Sequence, residues 1–232
     1  MKTWNPKRLP GVAMAAVALS ALSALSALPA HADIISFEAA ATAGLYFPGD
    51  SFSEGAFRLT ALNDFGIVDT AAALGSQAPT GNATQFYFAS NNGALRVAST
   101  SGLGLNLAGF SAAFVALDPP SLQSTVIVAR GTLQNNSTVT ASFAFGSSSS
   151  TNFPFVNYSG ASLAAFSNLR QVEFFACSWV GGVACSVPTA NNGQFAIDNI
   201  NVSVVPEPGA AVLLALGLAG LALRTCRTRR SA

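Results

Sequence analysis

The stretch TVTASFAF, residues 138–145, alternates between two kinds of side chain along its length. Val139, Ala141, Phe143 and Phe145 fall on one face, and the threonines and the serine fall on the other. Because successive side chains of a β-strand point to opposite sides, this pattern predicts a strand with one buried face.

Period-two alternation recurs on both sides of this stretch, between loops rich in Gly, Asn, Ser and Pro, whereas helical periodicity is hard to find. Many short strands of this kind are typical of sandwiches and jelly rolls. We therefore predict an all-β fold, a single β-sandwich or jelly-roll-like ectodomain with a phenylalanine core. Further strands are predicted at 34–38, 56–62, 86–88, 95–97, 110–116, 125–130, 172–176 and 195–204.

The turn sequence Asn91-Asn92-Gly93 lies between two of these strands, 86–88 and 95–97. Asn and Gly tolerate the left-handed backbone that tight hairpin turns require. The sequence therefore predicts that the two strands pair as a hairpin.

The N-terminal 32 residues carry the marks of a secretory signal peptide. A basic start is followed by an apolar region, 12–28, and then by small residues at Ala30 and Ala32. We expect the signal peptide to be residues 1–32 and the mature chain to begin at Asp33. The expected partners of this segment are the secretory translocon and signal peptidase.

The C-terminal segment GAAVLLALGLAGLAL, residues 209–223, has no polar side chain. Its fifteen residues span ~22 Å as a helix, short of a ~30 Å hydrocarbon core, so they predict one short transmembrane helix. Basic residues after such a span stay cytoplasmic, which leaves the preceding chain exported. The basic tail, 224–230, contains Arg224, Arg227, Arg229 and Arg230.

A proline-rich motif, VPEPG, stands directly before this span. Its prolines donate no backbone hydrogen bonds and disfavour helix in the preceding residues, so the motif is an extended, accessible segment. A plain tail anchor with a proline-rich juncture is one interpretation. The motif, span and basic tail together, residues 205–230, resemble the PEP-CTERM sorting signal of Gram-negative bacteria. The motif consists of Val205, Pro206, Glu207, Pro208 and Gly209.

This resemblance implies an exosortase as partner, a membrane protease/transpeptidase that processes its substrates near the Pro-Glu-Pro motif. The inner membrane would then hold the protein only transiently. Family members are surface or matrix proteins, often of organisms that make exopolysaccharide, so the expected destination is the cell surface, the outer membrane or the extracellular matrix of a biofilm. The resemblance does not extend to the ectodomain, 33–204.

The ectodomain is acidic although the whole chain is nearly neutral. Nine carboxylates face four arginines and no lysine, for a net charge near −5. Binding to a phosphate backbone requires basic patches, so we expect no nucleic-acid partner.

The single histidine, His31, lies in the signal peptide. The mature chain therefore lacks a Ser-His-Asp triad, a Cys-His pair and a histidine-ligated zinc site. Catalysis would have to use carboxylates, as glycoside hydrolases do. The spacing of the nine acids nominates no catalytic pair, so we expect no enzymatic activity and no catalytic residues.

Cys177 and Cys185 flank the sequence SWVGGVA. In an exported protein this spacing predicts a disulfide, and a three-residue turn at 180–182 would place the two cysteines directly opposite each other on a hairpin. Buried free thiols are the alternative. Cys226 lies among the cytoplasmic arginines and is expected to be reduced.

The first and last predicted strands contain the sequences SFE, 36–38, and IDNINV, 197–202. This pairing resembles carbohydrate-binding-module-like jelly rolls, in which the end strands are neighbours and carboxylates from them help to hold a structural calcium. The resemblance implies Glu38 and Asp198 as calcium ligands, oxygen donors of the kind calcium prefers; solvated edge carboxylates are the alternative. The alternation changes phase at Asp198-Asn199, which predicts a β-bulge there.

Trp179 is the most conspicuous candidate for glycan contact, with Tyr46, Tyr87 and Tyr158 behind it. Sugar-binding platforms use exposed aromatic rings beside polar groups. The alternative is that the indole of Trp179 covers an apolar sheet end, a common place for a tryptophan.

Three functions are compatible with these features. The leading hypothesis is a non-enzymatic surface or matrix protein that an exosortase sorts and that associates with exopolysaccharide. The second is a carbohydrate-binding module that grips the polysaccharide directly. The third is a polysaccharide hydrolase with paired carboxylates, which the acidic residues support least.

Overall fold

Fourteen strands run through the part of the chain that the computed structural model describes, residues 32–39, 43–115, 126–147, 152–180, 183–186, 193–205 and 217, with only the backbone given for 178–180 and 183–186. The first seven strands are β1 Ala32–Ile35, β2 Gly44–Tyr46, β3 Ser51–Glu54, β4 Phe57–Leu62, β5 Gly66–Asp69, β6 Phe86–Ala89 and β7 Ala94–Ser99. The others are β8 Leu105–Phe114, β9 Val126–Leu133, β10 Thr138–Ala144, β11 Val156–Ser159, β12 Leu169–Val180, β13 Val183–Ser186 and β14 Phe195–Val204. Three short helical segments complete the described structure: α1 Ala71–Leu74 and the 3-10 turns Gly75–Gln77 and Ala161–Leu163.

The strands form two antiparallel layers. The first layer has the order β2-β5-β6-β14-β8-β11, with β1 beside the second half of β14. The second layer has the order β3-β4-β7-β12-β9-β10, with β13 at the end of β12. A single pair, Leu105 with Leu169, links the layers at one corner. The predicted all-β sandwich is confirmed.

A core of aromatic and aliphatic side chains separates the layers. Phe110 of β8 meets Phe174 of β12 at 5.0 Å between ring centroids and Phe143 of β10 at 5.3 Å. Both contacts are edge-to-face, the arrangement that aromatic quadrupoles favour. The apolar face of the opening stretch, from Val139 to Phe145, packs into this core as predicted.

The two outer faces of the sandwich differ. On the first layer, Phe86, Phe88 and Ala196 point outward and are covered by α1 and by Phe155. On the second layer, the outward positions carry mostly polar side chains, including Arg96 and Arg130. The second outer face also carries an apolar cluster of Val126, Val128 and Cys177, with Phe175 packed against it.

The predicted hairpin between β6 and β7 is wrong. β6 pairs with β5 and β14 in the first layer, and β7 pairs with β4 and β12 in the second. The turn at 90–93 is tight, with the Gly93 N–H donating to the Ser90 carbonyl at 2.7 Å, but it carries the chain from one layer to the other. Both strands are largely buried, and each pairs with a strand on either side within its own layer.

The ends of the ectodomain agree with the prediction in part. β1 pairs with β14, as neighbouring end strands should, but it ends at Ile35 instead of Glu38. Phe37 has φ 60°, a left-handed conformation outside the extended region that regular strand pairing requires. β14 has the predicted bounds, Phe195–Val204.

The predicted signal peptide, sorting motif from Pro206 onward, membrane span and basic tail lie outside the described residues, apart from Ala32, which begins β1, and Gly217, which is helical. A separate compact unit comprises His31–Val205 and holds all fourteen strands. None of the helices in the described ranges combines the length and the apolarity needed to cross a membrane.

Candidate functional site

One row of paired residues crosses all six strands of the second layer on its outer face. Strand register places these residues in line, because each one lies directly opposite the next on the neighbouring strand. The members, called here the arginine row, are Ser51, Thr60, Arg96, Glu173, Arg130 and Thr140. Residues opposite each other in antiparallel strands lie on the same face, so the row is continuous.

Glu173 lies at the centre of the arginine row and binds an arginine on each side. Arg96 donates to its Oε1 through Nε at 3.0 Å and Nη2 at 2.9 Å. Arg130 donates to its Oε2 through Nη2 at 2.6 Å. The guanidinium of Arg130 also stacks over the Phe175 ring, 5.2 Å from the centroid. Two independent contacts thus fix the position of Arg130.

Burial alone would raise the pKa of Glu173, but the hydrogen bonds and positive charges of Arg130 and Arg96 outweigh it, and the pKa is lowered. The carboxylate therefore stays ionised at neutral pH. The side chains of Arg96 and Arg130 are 37% and 49% exposed, against 9% for Glu173. The Glu173 carboxylate therefore lies beneath the surface of the sheet, and the two guanidinium groups lie at that surface.

A pocket of about 260 Å³ opens beside the arginine row. Its lining combines polar side chains with an aromatic ring, a combination common in small-molecule and glycan sites. It is lined by Leu62, Asn63, Asn92, Ala94, Arg96, Arg130, Glu173, Phe175 and Ala176.

Two turns close the end of this pocket. Asn63 has φ 66° where β4 turns toward β5, and asparagine tolerates this conformation better than most residues. Asn92 accepts a hydrogen bond from the Gly193 N–H at 3.0 Å. At Gly193 a Cβ would lie 2.9 Å from the Asn92 Oδ1, so glycine permits this approach. Sequence reasoning missed the pocket because four segments far apart in the chain build it.

A second group of polar side chains, the acidic corner, comprises Glu38, Glu54 and Asp198. Asp198 is 1% exposed, and its Oδ2 accepts hydrogen bonds from Asn82 Nδ2 at 2.7 Å and Asn199 Nδ2 at 3.0 Å. Glu38 accepts the Gln85 N–H at 2.7 Å. The structure thus brings the two predicted carboxylates into one electrostatic environment.

Sequence reasoning missed Glu54. Its carboxylate accepts the N–H groups of Ser36 at 2.8 Å and Phe37 at 3.1 Å. The left-handed Phe37 turns these successive N–H groups toward one anion, as a backbone nest does. A buried phenylalanine with positive φ cannot be inferred from residue type.

Burial raises the pKa of Asp198 to about 6. Hydrogen bonds from Asn199 and Asn82 oppose the shift, whereas the charges of Glu38 and Glu54 add to it. In contrast to Glu173, this carboxylate receives its hydrogen bonds from amides, and the other charges acting on it are negative. Such a site favours a bound proton or a cation.

The acidic corner fits calcium in part. Within the described ranges, no three His, Cys, Asp or Glu side chains form a ready metal centre. Amide oxygens would have to complete the ligand set, which calcium accepts. Gln85, whose N–H holds Glu38, has a buried Oε1 without a partner among the described residues. Calcium binding at Glu38 and Asp198 therefore stays a prediction.

The predicted bulge at Asp198-Asn199 is confirmed. The register of β14 against β8 shifts between Asp198 and Asn201, and Asn199 has φ 50°. Before the bulge β14 pairs with β6, and after it with β1. The bulge thus lies at the point where β14 changes partners.

The predicted aromatic contacts are mostly unavailable. Tyr87 is fully buried in the core, and the Tyr158 hydroxyl donates to the Ala144 carbonyl at 2.7 Å. Trp179 lies in β12, but its side chain falls outside the described ones, so its glycan contact stays a prediction. Phe175, four residues earlier, is the aromatic residue that lines the pocket.

Cys177 is buried, whereas the Cys185 side chain lies outside the described ones. The pairing of the two cysteines stays a prediction. The predicted three-residue turn is wrong, because Val180 pairs with Val183 and a register shift separates this pair from Ser178 with Ser186. The two cysteines are therefore not directly opposite each other.

Residues 204–230 match the PEP-CTERM protein-sorting motif. The predicted sorting signal is confirmed, and with it the protein's export and sorting to the cell surface. No curated protein matches the chain.

Several solved structures match the chain at low similarity. One is the module TmCBM61 in complex with β-1,4-galactotriose, with 8% identity, a TM-score of 0.32, and coverage of 64% of this chain and 88% of that one. Another is the CBM22-1 xylan-binding domain of Xyn10C from Paenibacillus barcinonensis, with 12% identity, a TM-score of 0.32, and coverage of 76% and 97%. A third is the agarase AgWH50C, with 10% identity, a TM-score of 0.25, and coverage of 78% and 23%.

Proposed function

We propose that this protein is a non-enzymatic surface or extracellular-matrix protein that an exosortase sorts and processes, and that its ectodomain binds polysaccharide. The sorting motif carries the first part of the proposal. β14 ends at Val204, and the Val205 N–H donates to the Gly104 carbonyl at 2.7 Å, so the fold ends where the Pro-Glu-Pro motif begins. Processing there would leave every described strand intact.

The outer face of the second layer supports polysaccharide binding. It presents fixed guanidinium groups, side-chain amides and the ring of Phe175 around the pocket at the arginine row. Hydrogen-bond donors held in fixed positions beside an apolar ring suit a sugar, which has hydroxyl groups at its edge and C–H groups on its faces. A passive matrix protein would have no need of such a pocket.

The carboxylates give less support to a hydrolase. A glycosidase places two carboxyl groups across a cleft, about 5–5.5 Å or 6.5–9.5 Å apart. Glu173 is the one carboxylate in the pocket, and it is engaged by two arginines. The acidic corner contains the acid of raised pKa, Asp198, but its oxygens are held by Asn82 and Asn199.

Intact mass of the protein from producing cells and medium, with and without the exosortase gene, tests the sorting. We expect a species that begins at Asp33 and ends near Pro206 to Pro208, present only with the exosortase. A species that keeps Arg230 in both strains would make the protein a simple tail-anchored one. The same spectra test the predicted signal cleavage after Ala32.

A polysaccharide array tests the ectodomain. We expect the exported protein to bind at least one polymer, and Phe175→Ala to weaken that binding more than Phe47→Ala does. Phe47 is a matched control, because it is 59% exposed and does not line the pocket. Trp179→Ala tests the earlier candidate in the same way. An array on which no polysaccharide binds would leave the passive matrix protein as the function.

We also propose a structural calcium at the acidic corner, with Glu38 and Asp198 as ligands and amide oxygens beside them. Calcium at 100 times its Kd would stabilise the fold by about 2.7 kcal/mol by mass action. Thermal unfolding in calcium, in magnesium and in chelator would measure this. Asp198→Asn should abolish the calcium effect, and an equal effect in the variant would place the ion elsewhere.

A further inference from the structure

The positive charges of the ectodomain are confined to one of its two layers. All four arginines belong to the second layer: Arg58 to β4, Arg96 to β7, Arg130 to β9 and Arg170 to β12. The ectodomain has no lysine, so the first layer has no basic side chain at all. A protein of net negative charge thus collects its positive charge on one sheet.

The outer face of this sheet is positive in balance. The row beside the arginine row contains Arg58, Gln171 and Thr132, with no acid. Glu173 offsets one of the two guanidinium charges next to it, and Arg58 adds another. Asp64, in the turn near the pocket, accepts hydrogen bonds from the Phe65 N–H at 2.8 Å and from Asn91 Nδ2 at 3.0 Å. Its charge is engaged within that turn.

Both central arginines keep donors for a ligand. Arg130 uses Nη2 for Glu173, and its Nε and Nη1 have no hydrogen-bond partner among the described residues. Arg96 likewise keeps Nη1. The planar guanidinium matches a carboxylate in a two-bond arrangement, and it binds without ordering cost when its position is already fixed.

We propose that the ectodomain selects acidic polysaccharides, with sugar carboxylates bound at Arg130 and Arg96 in the pocket beside Phe175. This inference rests on the proposed polysaccharide binding and specifies its ligand class. The pocket volume of about 260 Å³ is below the 300–1,000 Å³ of most drug-sized sites, so a single charged sugar unit is the natural occupant. Glu173 acts as a positioning residue, because it orients both guanidinium groups and would itself repel the ligand.

The test compares acidic polymers with their own neutral forms. Polygalacturonate, alginate and hyaluronan are each presented to the exported protein beside a carboxyl-reduced derivative of the same backbone, at low and moderate salt. We expect at least one acidic polymer to bind about tenfold or more tightly than its reduced form, with binding that weakens as salt screens the charges. This comparison uses the unaltered protein and does not depend on the folding of a variant.

Variants then locate the site. Arg130→Gln should weaken binding of the acidic polymer about tenfold, and Arg170→Gln should leave it within about twofold. Arg170 is a matched control, because it carries the same charge on the same sheet but bonds to Asn136 and does not line the pocket. Arg58→Gln, which breaks no described ion pair, should reduce the salt dependence and retain the fold.

Two results would overturn the inference in distinguishable ways. Equal binding of a polymer and its carboxyl-reduced form would refute the selection of acidic sugars and leave polysaccharide binding standing. Binding of neither form across all three polymers, together with an array on which no polysaccharide binds, would refute polysaccharide binding itself.

Discussion

Glu173 and Asp198 are both buried carboxylates on strands, with 7% and 1% of their surface exposed, yet their environments oppose each other. Glu173 lies between two guanidinium groups, and its pKa is lowered. Asp198 receives its hydrogen bonds from amides, lies near two other carboxylates, and has a pKa raised to about 6. Burial penalises both charges, so the neighbours decide the sign. One site is built to keep a charge, and the other is suited to take up a proton or a cation.

The largest expected loss of stability comes from Glu173→Gln, which removes the carboxylate that pairs with both Arg96 and Arg130. Breaking a buried ion pair costs ~3–5 kcal/mol, but the arginines are partly exposed and regain water, so we expect a loss of about 2–3 kcal/mol. Urea unfolding of the exported protein at pH 7 would measure it. Asp198→Asn in chelator is the matched control, and there we expect no loss. Equal losses in both variants would erase the contrast between the sites.

The next effect is a pH dependence that belongs to Asp198. Its folded pKa lies above its unfolded value of 3.8, so its contribution is fully present below about pH 4 and is lost as pH rises through about 6. We expect this change to be on the order of 2 kcal/mol. Thermal unfolding between pH 4 and 7.5, with chelator present, would reveal it as a difference between the protein and Asp198→Asn.

Glu173 should show the opposite dependence when the same experiment is extended below pH 4. Its folded pKa is lowered, so its contribution is present above its unfolded pKa and is lost as pH falls through the folded value. The difference curve for Glu173→Gln should therefore slope against that for Asp198→Asn. Curves of the same sign would show that the two carboxylates share one environment after all.

A smaller loss of unfolding free energy is expected for Arg96→Gln. Glu173 keeps Arg130, so one charged partner is lost and the carboxylate remains paired. We expect a cost of about 1 kcal/mol, typical of a charged hydrogen bond that is partly exposed. Arg170→Gln should cost less than about 0.5 kcal/mol, because Arg170 is exposed and its described partner is a neutral side chain. A larger cost for Arg170 would mean that the arginine row is not the charged centre of this sheet.

The smallest effect is expected at the bulge. Asn199→Gly suits the left-handed backbone, at φ 50°, but it removes the side-chain hydrogen bond to Asp198 Oδ2. Stability should change by less than about 1 kcal/mol, while the Asp198 transition moves to higher pH. NMR titration of the Asp198 carboxyl carbon would follow this transition. An unchanged transition would show that Asn199 does not stabilise the ionised form.

The strands were largely predictable, because alternation over residues such as 139–145 and 195–204 directly reports which side chains face the core. The predicted hairpin at 91–93 failed for a physical reason. A tight turn reverses the chain in the same way whether the next strand joins the same sheet or the facing one, so local residue types cannot distinguish the two. The bulge at Asp198 could be predicted, because a change of phase in the alternation is itself a local signal.

The candidate site was less predictable. Glu38 and Asp198 were found from short motifs, whereas Glu54 joins them through the backbone N–H groups of Ser36 and Phe37. The arginine row was not foreseen, because Arg96, Arg130 and Glu173 are separated by 34 to 77 residues and meet only through strand register.

The sequence by itself determined where this protein goes and of what kind of structure it is made. Export, sorting and strand patterning are properties of short contiguous segments, which translocon, protease and β-sheet geometry recognise locally. Tertiary structure alone decided which charges meet. Register and layer order set the distances between residues far apart in the chain, and electrostatic energy depends on those distances and on burial.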